Sequence, residues 1–293
     1  MNDSEFLTGR FEEQRPHLRA VAYRMLGSLS EADDAVQEAW FRLNRTDVSA
    51  VDNLGGWLTT VVGRVCLDML RSRESRREEP LGGYVPDPVV SGQDGVDPEQ
   101  EALIADSVGL ALLVVLETLA PAERLAFVLH DMFGVPFEDI APIVGRSSAA
   151  ARQLASRARR RVRGSAPVPD TDLSRQREIV DAFLAAARGG DFDALVALLD
   201  PNVVLRADTG AMPDGAARLI RGARNVAEGA LGFARLARYA HPALVNGTAG
   251  LVAAPQGRPV SVVGLTITGG KIVEIDILAD PERLRRLDLT AFD

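Results

Sequence analysis

Lysine is almost missing from this chain: of its 33 basic residues only Lys271 is not an arginine. We read that scarcity as a mark of GC-rich coding rather than of function. Cysteine is as scarce. Cys66 stands alone among 293 residues, which excludes an intrachain disulfide and a cysteine-based zinc site and fits a reducing cytoplasm. By itself it reads as a small buried apolar residue. No apolar run reaches the roughly 18 residues that a membrane span requires, so no membrane partner is expected. The opening residues MNDSEFLTGRFEEQRP are acidic and lack the apolar centre of a signal peptide, so a cytoplasmic location is expected. No metal site and no cofactor motif is expected either.

What is present describes a multidomain globular protein. Hydrophobic residues make up 46% and charged residues 25% of the chain, and the length suits two or three domains. The formal net charge is −8, distributed unevenly. Residues 74–107 carry two arginines against nine acids, while residues 108–166 carry eight against five. An acidic stretch therefore sits directly before a basic one.

Apolar periodicity predicts helices over most of 11–73. EEQRPHLRAVAYRMLG places Leu18, Val21, Ala22, Met25 and Leu26 at helical spacing. SLSEADDAVQEAWFRL follows, with Ser30 and Asp33 as a capping pair and Ala35, Ala39, Trp40 and Leu43 as its apolar stripe. In NLGGWLTTVVGRVCLDMLRSR, Leu54, Leu58, Val61, Val62, Val65 and Met69 share one side, and Trp57, Thr60, Arg64 and Arg71 another. The stretch EPLGGYVPDPVVSGQDGVDPEQ is rich in proline, glycine and acid, which predicts a linker. Helical patterns return over 108–163. From 174 onward two helices broken at Gly189–Gly190 lead into β-branched runs with glycine turns, one at Gly269–Gly270. This predicts an α+β domain with helices first and an antiparallel sheet after.

The segment GRSSAAARQLASRARRRVRG, residues 145–164, holds seven arginines and no acid. With PFEDIAPIVG before it, it has helix-turn-helix proportions: a short helix, a turn at Gly145, and a second helix capped by Ser147 or Ser148. Ala151, Leu154, Ala158 and Val162 would face the core. Arg152, Gln153, Ser156, Arg157 and Arg160 would face out. Arginine and glutamine at the front can read base edges, and the later arginines suit phosphates. Pro142, inside the first helix, is expected to loosen its end.

These residues resemble a known family. AYRMLGSLSEADDAVQEAWFRL, NLGGWLTTVVGRVCLDMLRSR and LETLAPAERLAFVLHDMFGVPFEDIAPIVGRSSAAARQLASRARRRV are similar, in order and spacing, to bacterial RNA polymerase sigma factors of the extracytoplasmic-function group. The tail is similar to a SnoaL-like domain, a cone of helices around a curved sheet, as in the sigma-J type subgroup. The resemblance implies two all-α sigma domains, a helical bundle (8–74, region 2) and a helix-turn-helix (108–164, region 4). It places an acidic linker at 75–107 and an α+β SnoaL-like domain at 173–293.

The implied partners are promoter DNA and core RNA polymerase, through its β′ coiled coil and its β subunit. Asp33, Asp34, Gln37 and Glu38 correspond to the core-binding helix. Asn53, Trp57, Thr60, Arg64, Arg71 and Arg73 fall where the family opens and reads the −10 element, with the loop NRTDVSAVD holding a flipped base. Arg146, Ser147, Ser148, Arg152, Gln153, Ser156, Arg157 and Arg160 fall on the −35 reader. The acidic linker is expected to thread the polymerase toward the RNA exit path. Subgroup members also carry a W-L-P-E-P-like linker motif and a D-G-G-G-like tail motif. Their counterparts here are YVPDP (Tyr84, Pro86, Asp87 and Pro88) and DTGAMPDG (with Asp208 and Gly210).

Two other functions are weighed. A one-component repressor or activator with a ligand-binding tail would use the helix-turn-helix but leave the first 73 residues unexplained. An enzyme would need an acid or base in the mouth of the cone. Asp208, His241 and Asp276 are the candidates, and nothing in the sequence pairs them. The expectation is a regulatory, non-enzymatic tail, with a small-molecule ligand left open.

Overall fold

The computed structural model describes residues 3–46, 51, 53–75, 84–92, 109–210 and 218–292. They divide into two compact units. One gathers the residues up to Ser75 with 115–165, and the other gathers 84–92, 109–114 and 166–292. Much of the acidic linker, the middle of the loop before Asn53 and part of the DTGAMPDG motif lie outside the described residues.

The first unit is all helical. α1 (Asp3–Leu26), α2 (Leu29–Leu43) and α3 (Leu54–Ser75) form a bundle. Its core is Leu18, Val21, Met25 and Leu26 of α1, Ala35, Val36, Ala39 and Leu43 of α2, and Leu58, Val62, Cys66, Leu67 and Leu70 of α3. The buried stripe of α3 is thus rotated from the one read in the sequence: Val61 and Met69 are half-exposed, and Cys66 and Leu67 take the interior. Burial pushes the Cys66 thiol above its ordinary range, so it stays protonated and inert. Trp40 is half-buried against the Phe11 ring, at 4.9 Å between centroids. The expected Ser30–Asp33 capping pair does not form. Ser28 occupies the N-cap without a side-chain cap, and Asp33 pairs with Arg19 instead.

After α4 (Leu110–Glu117), α5 (Pro121–Phe127) runs into one π-helical turn, Val128–Met132. α6 (Phe137–Val144) and α7 (Ser148–Ser165) follow. Pro142 does not loosen α6, which continues to Val144 and ends at Gly145 in a left-handed conformation. Ser147 caps α7, its hydroxyl accepting from the Ala150 amide at 3.3 Å. The small buried side chains Ala151, Ala155 and Ala158 let α7 lie close against α5 and α6, while Leu154 and Val162 are only half-buried.

In the second unit, α8 (Leu173–Gly189) and α9 (Phe192–Leu198) break at Gly190. Asp172 and Asp191 cap them. α10 (Ala223–Gly232) and α11 (Ala234–Ala237) complete the helical side. The strands are β1 (Val90–Ser91), β2 (Leu199–Asp208), β3 (Arg218–Arg221), β4 (Ala240–Val245), β5 (Thr248–Ala253), β6 (Ser261–Thr268) and β7 (Lys271–Leu278). They form one sheet in the order β1-β4-β5-β6-β7-β2-β3. It is not wholly antiparallel as expected: β2 runs parallel to β7, because the chain closes the sheet after a long excursion through β3 to β6. The Gly269–Gly270 turn joins β6 and β7, both glycines with positive φ.

The helices pack on one face of this sheet, with Phe183, Leu184, Leu205, Leu251, Leu265, Ile267 and Ile275 in the shared core. The short α12 (Pro281–Leu284) follows β7.

Gly250 of β5 is fixed by close approach. A Cβ there would stand 2.6 Å from the Val263 carbonyl oxygen and 2.6 Å from Val245 Cγ2. Because one obstacle is backbone, the neighbouring strand would have to shift. Gly250→Ala is expected to destabilise the tail by about 1–3 kcal/mol, read as a lower midpoint in denaturant unfolding of the full chain with the first unit's helical signal retained.

Candidate nucleic-acid interface

Four side chains of α2 named for polymerase contact, Asp33, Asp34, Gln37 and Glu38, are all exposed. Two are paired within the bundle: Asp33 with Arg19 at 2.7 Å and Glu38 with Arg42 at 2.9 Å. Both pairs are solvent-facing and contribute little stability, so the carboxylates can exchange partners cheaply.

The α3 candidates divide by role. Asn53 caps the helix, its side-chain oxygen accepting from the Gly56 amide at 2.9 Å. Thr60 turns its hydroxyl to the Trp57 carbonyl at 2.7 Å. Arg64 and Arg71 are exposed. Arg73 differs from them: it pairs with Glu31 and reaches the Leu26 carbonyl at 3.4 Å, so its charge is spent inside the bundle. Trp57, Thr60 and Arg64, with Arg45, line a cavity of about 490 Å³ whose other lining includes Glu138 and Asp139 of α6. The structure therefore brings part of the α3 set together with the first helix of the helix-turn-helix.

Arg146, in the turn before α7, and Arg152, Gln153, Ser156, Arg157 and Arg160 on α7 are exposed. Arg152 lies over the Phe137 ring at 5.3 Å. Arg157 is bound at 2.7 Å to Glu123 of α5. Ser147 serves as the cap and Ser148 as the first helical residue.

Sequence reading missed the strongest polar joint of this unit. Arg124 of α5 is 3% exposed and donates to the Met25 carbonyl at 2.8 Å and to both oxygens of Glu117 at 2.8 and 3.2 Å. Phe133, after the π turn, meets the His17 ring edge-on at 5.2 Å and the Arg24 guanidinium at 5.1 Å. Burial first, and then Arg24, hold His17 below the usual imidazole range.

In the second unit the YVPDP segment and the tail motif meet around a residue the sequence did not single out, Arg283. Its guanidinium donates to Asp87 at 2.8 Å, to Asp208 at 2.7 Å and to the Val85 carbonyl at 2.7 Å, and it sits 4.9 Å from the Tyr84 ring. The Val85 amide donates to Asp208 at 3.4 Å. Asp280 caps α12 and Pro281 opens it, which presents Arg283 from the first turn. Gly210, at φ +64, donates to Asp208, and a Cβ there would strike the Asp280 carboxylate at 2.6 Å. Pro86 and Pro88 are buried with the segment. Farther along, Val90 and Ser91 pair with β4, so this piece of the linker is the edge strand of the tail's sheet.

Two family models match the chain, Sigma-70 region 2 at residues 10–76 and Sigma-70 region 4 at 109–162. The chain is 40% identical over 288 residues to the ECF RNA polymerase sigma factor SigJ of Mycobacterium tuberculosis, covering 93% of this chain and 91% of that protein. This protein belongs to the extracytoplasmic-function RNA polymerase sigma factors. It is also 36% identical over 303 residues to the probable sigma factor SigI of the same species, covering 97% of each. The crystal structure of M. tuberculosis SigJ matches 96% of this sigma factor and 99% of that chain, with a TM-score of 0.79 at 37% identity. Among its described residues no helix is long and apolar enough to cross a membrane.

Of the enzymatic candidates in the tail of this sigma factor, Asp208 and Asp276 lie diagonally on the same face of the paired strands β2 and β7, and His241 stands on β4. Asp208 is held by Arg283, and His241 is exposed. Asp276 lies beside Arg206, at 3.0 Å, on the face opposite the Ile275 core. Burial raises the Asp276 carboxyl to about 6, against the opposing pull of Arg206.

Two outcomes are expected. The folded state holds the Asp276 proton more tightly than the unfolded chain, so stability falls as pH rises from 3.8 to about 6. Asp276→Asn removes that part of the slope, and urea unfolding across this pH range checks it. Arg283→Met takes the cation away from Asp87 and Asp208 and loosens the edge strand. Hydrogen exchange at the Val85 and Val89 amides is expected to quicken at least tenfold, on the order of 1.4 kcal/mol of lost protection.

Proposed function

We propose that this chain reads its promoter through two separate surfaces, α3 for the −10 element and α7 for the −35 element. It is an alternative sigma factor: it binds core RNA polymerase and directs promoter recognition. The observation that carries the two-surface reading is the placement of cations. Arg64 and Arg71 stand exposed on α3, Arg146 in the turn before α7 and Arg160 on α7, while Arg73 and Arg124 are turned inward.

Melted DNA needs cations for phosphates and flat surfaces for bases, and Arg64 and Trp57 supply both on one cavity wall. Glu138 and Asp139 also border that cavity and would repel a phosphate. A DNA strand on α3 therefore calls for a state in which α6 has moved away. Asp33, Asp34, Gln37 and Glu38 are the acidic and amide groups offered to the β′ coiled coil. Their solvent-facing pairs release them at small cost.

The tail regulates and does no chemistry. Its support is that Asp208 and Asp276 are each engaged by an arginine, Arg283 and Arg206, and that His241 stands three strands away on β4. Through Arg283 and β1 it holds residues 84–91 of the linker, the segment assigned a path through polymerase. Tyr84, Asp87, Asp208 and Gly210 then set whether that segment is free. The protein acts in the cytoplasm, where its polymerase partner works.

Run-off transcription with core polymerase, comparing the full chain with a truncation after Gly164, tests both parts. Initiation by either form is expected, with more transcript from the truncated one because residues 84–91 are released. No initiation by either form would falsify the sigma reading, and equal output from both would remove the regulatory role of the tail.

A further inference from the structure

We infer that Glu123 and Asp131 are positioning residues for the −35 reader. They hold three arginines on the flanks of α7 and leave a single ridge to meet DNA. The inference rests on the reading of α7 as that reader.

α7 buries Ala151, Ala155 and Ala158. Successive residues turn by about 100°, so the opposite ridge runs through Ala149, Gln153, Ser156 and Arg160, all exposed. Arg157 and Arg161 lie on one side of this ridge and Arg159 on the other. Each flank is tied to the body of the domain by a carboxylate from a different element. Glu123 of α5 binds Arg157 at 2.7 Å and stands 3.7 Å from Arg161. Arg161 also donates to the Thr118 carbonyl at 3.2 Å. Asp131 of the π turn takes Arg159 in two contacts, at 2.5 and 3.3 Å. The acid side chains are 14% and 20% exposed and so held in place, while the arginines, 35–51% exposed, keep a solvent side from which DNA could draw them off. Arg146, Arg160 and Arg163 form no ion pair among the described residues.

A guanidinium bound this way has its charge offset and its donors in use. It neutralises a phosphate only by leaving its carboxylate. Seven arginines in twenty residues therefore present DNA with far less charge than their number suggests. The ridge keeps Gln153, placed to reach a base edge, and Arg160, placed for a phosphate, while the flanks are restrained from gripping any duplex alike.

The test uses the full chain and a short duplex of arbitrary sequence, with binding followed by fluorescence anisotropy over a range of sodium chloride. Glu123→Gln and Asp131→Asn keep the side-chain shapes and remove the charges. The double variant is expected to bind more tightly at low salt, with the slope of log affinity against log salt steeper by about 1–3, since each new phosphate contact adds about 0.9. Adding Arg157→Ala, Arg159→Ala and Arg161→Ala is expected to cancel the gain. If the gain survives the loss of those arginines, it is a long-range charge effect and the inference falls. An unchanged slope overturns it as well. Should the double variant melt below the assay temperature, each single acid variant is read in the same way. Flat slopes in variants that still support run-off transcription overturn only the positioning role. Absent transcription overturns the sigma reading beneath it.

Discussion

The guanidinium–carboxylate pair, made across elements rather than within them, is the interaction on which this structure depends. In the first unit Arg124 joins α5 to Glu117 and to the last turn of α1, where the Met25 carbonyl accepts from it. That carbonyl lies at the negative end of the α1 dipole, which favours a cation there. The joint is almost wholly buried, so losing one partner would strand a charge at a cost of about 3–5 kcal/mol. In the second unit Arg206 bridges Glu274 and Asp276 on the sheet, and Arg283 gathers Asp87, Asp208 and a backbone carbonyl. Each uses the planar fork that arginine has and lysine lacks. The near-absence of lysine has a coding origin on our reading, but the fold makes use of what that leaves.

These pairs also mark where sequence reading reaches its limit. Helix periodicity located α1, α2, α3 and α7, because apolar spacing is a local property. The Gly189–Gly190 break and the Gly269–Gly270 hairpin were legible for the same reason. The partners of Arg157 and Arg159 were not. Searching α7 for acids one turn away finds none, yet the acids arrive from 34 and 28 residues upstream. The Ser30–Asp33 cap failed because the helix starts at Leu29, which puts Ser30 inside its first turn, and Asp33 is paired with Arg19 of the neighbouring helix. Arg73, one of a row of exposed-looking arginines, is claimed in turn by Glu31.

The linker shows the same limit at longer range. YVPDPVVS has the prolines of a linker and the valines of a strand, and composition favours the first reading. Its structure is decided 196 residues away, where Asp280 and Pro281 start a short helix that presents Arg283. With Arg283 in place, Tyr84, Val85 and Asp87 have partners, and Val90 and Ser91 fall into register with β4. The parallel β2–β7 pair is likewise set by closure of the whole sheet, not by any local run.

The opposition of charges along the chain then takes on physical content. The basic segment is not a free patch, since its flanks are matched by acids from its own domain. On the proposed reading of α7, such a surface grips DNA modestly when alone. Two modest contacts held at a fixed spacing by one large partner bind far more tightly than either does separately, because the second forms at high effective concentration. A sigma factor reads two elements under that condition. Restraint of each surface by itself and strength of the pair on polymerase are therefore compatible demands, and on the proposal made above the internal ion pairs on α7 serve the first without weakening the second.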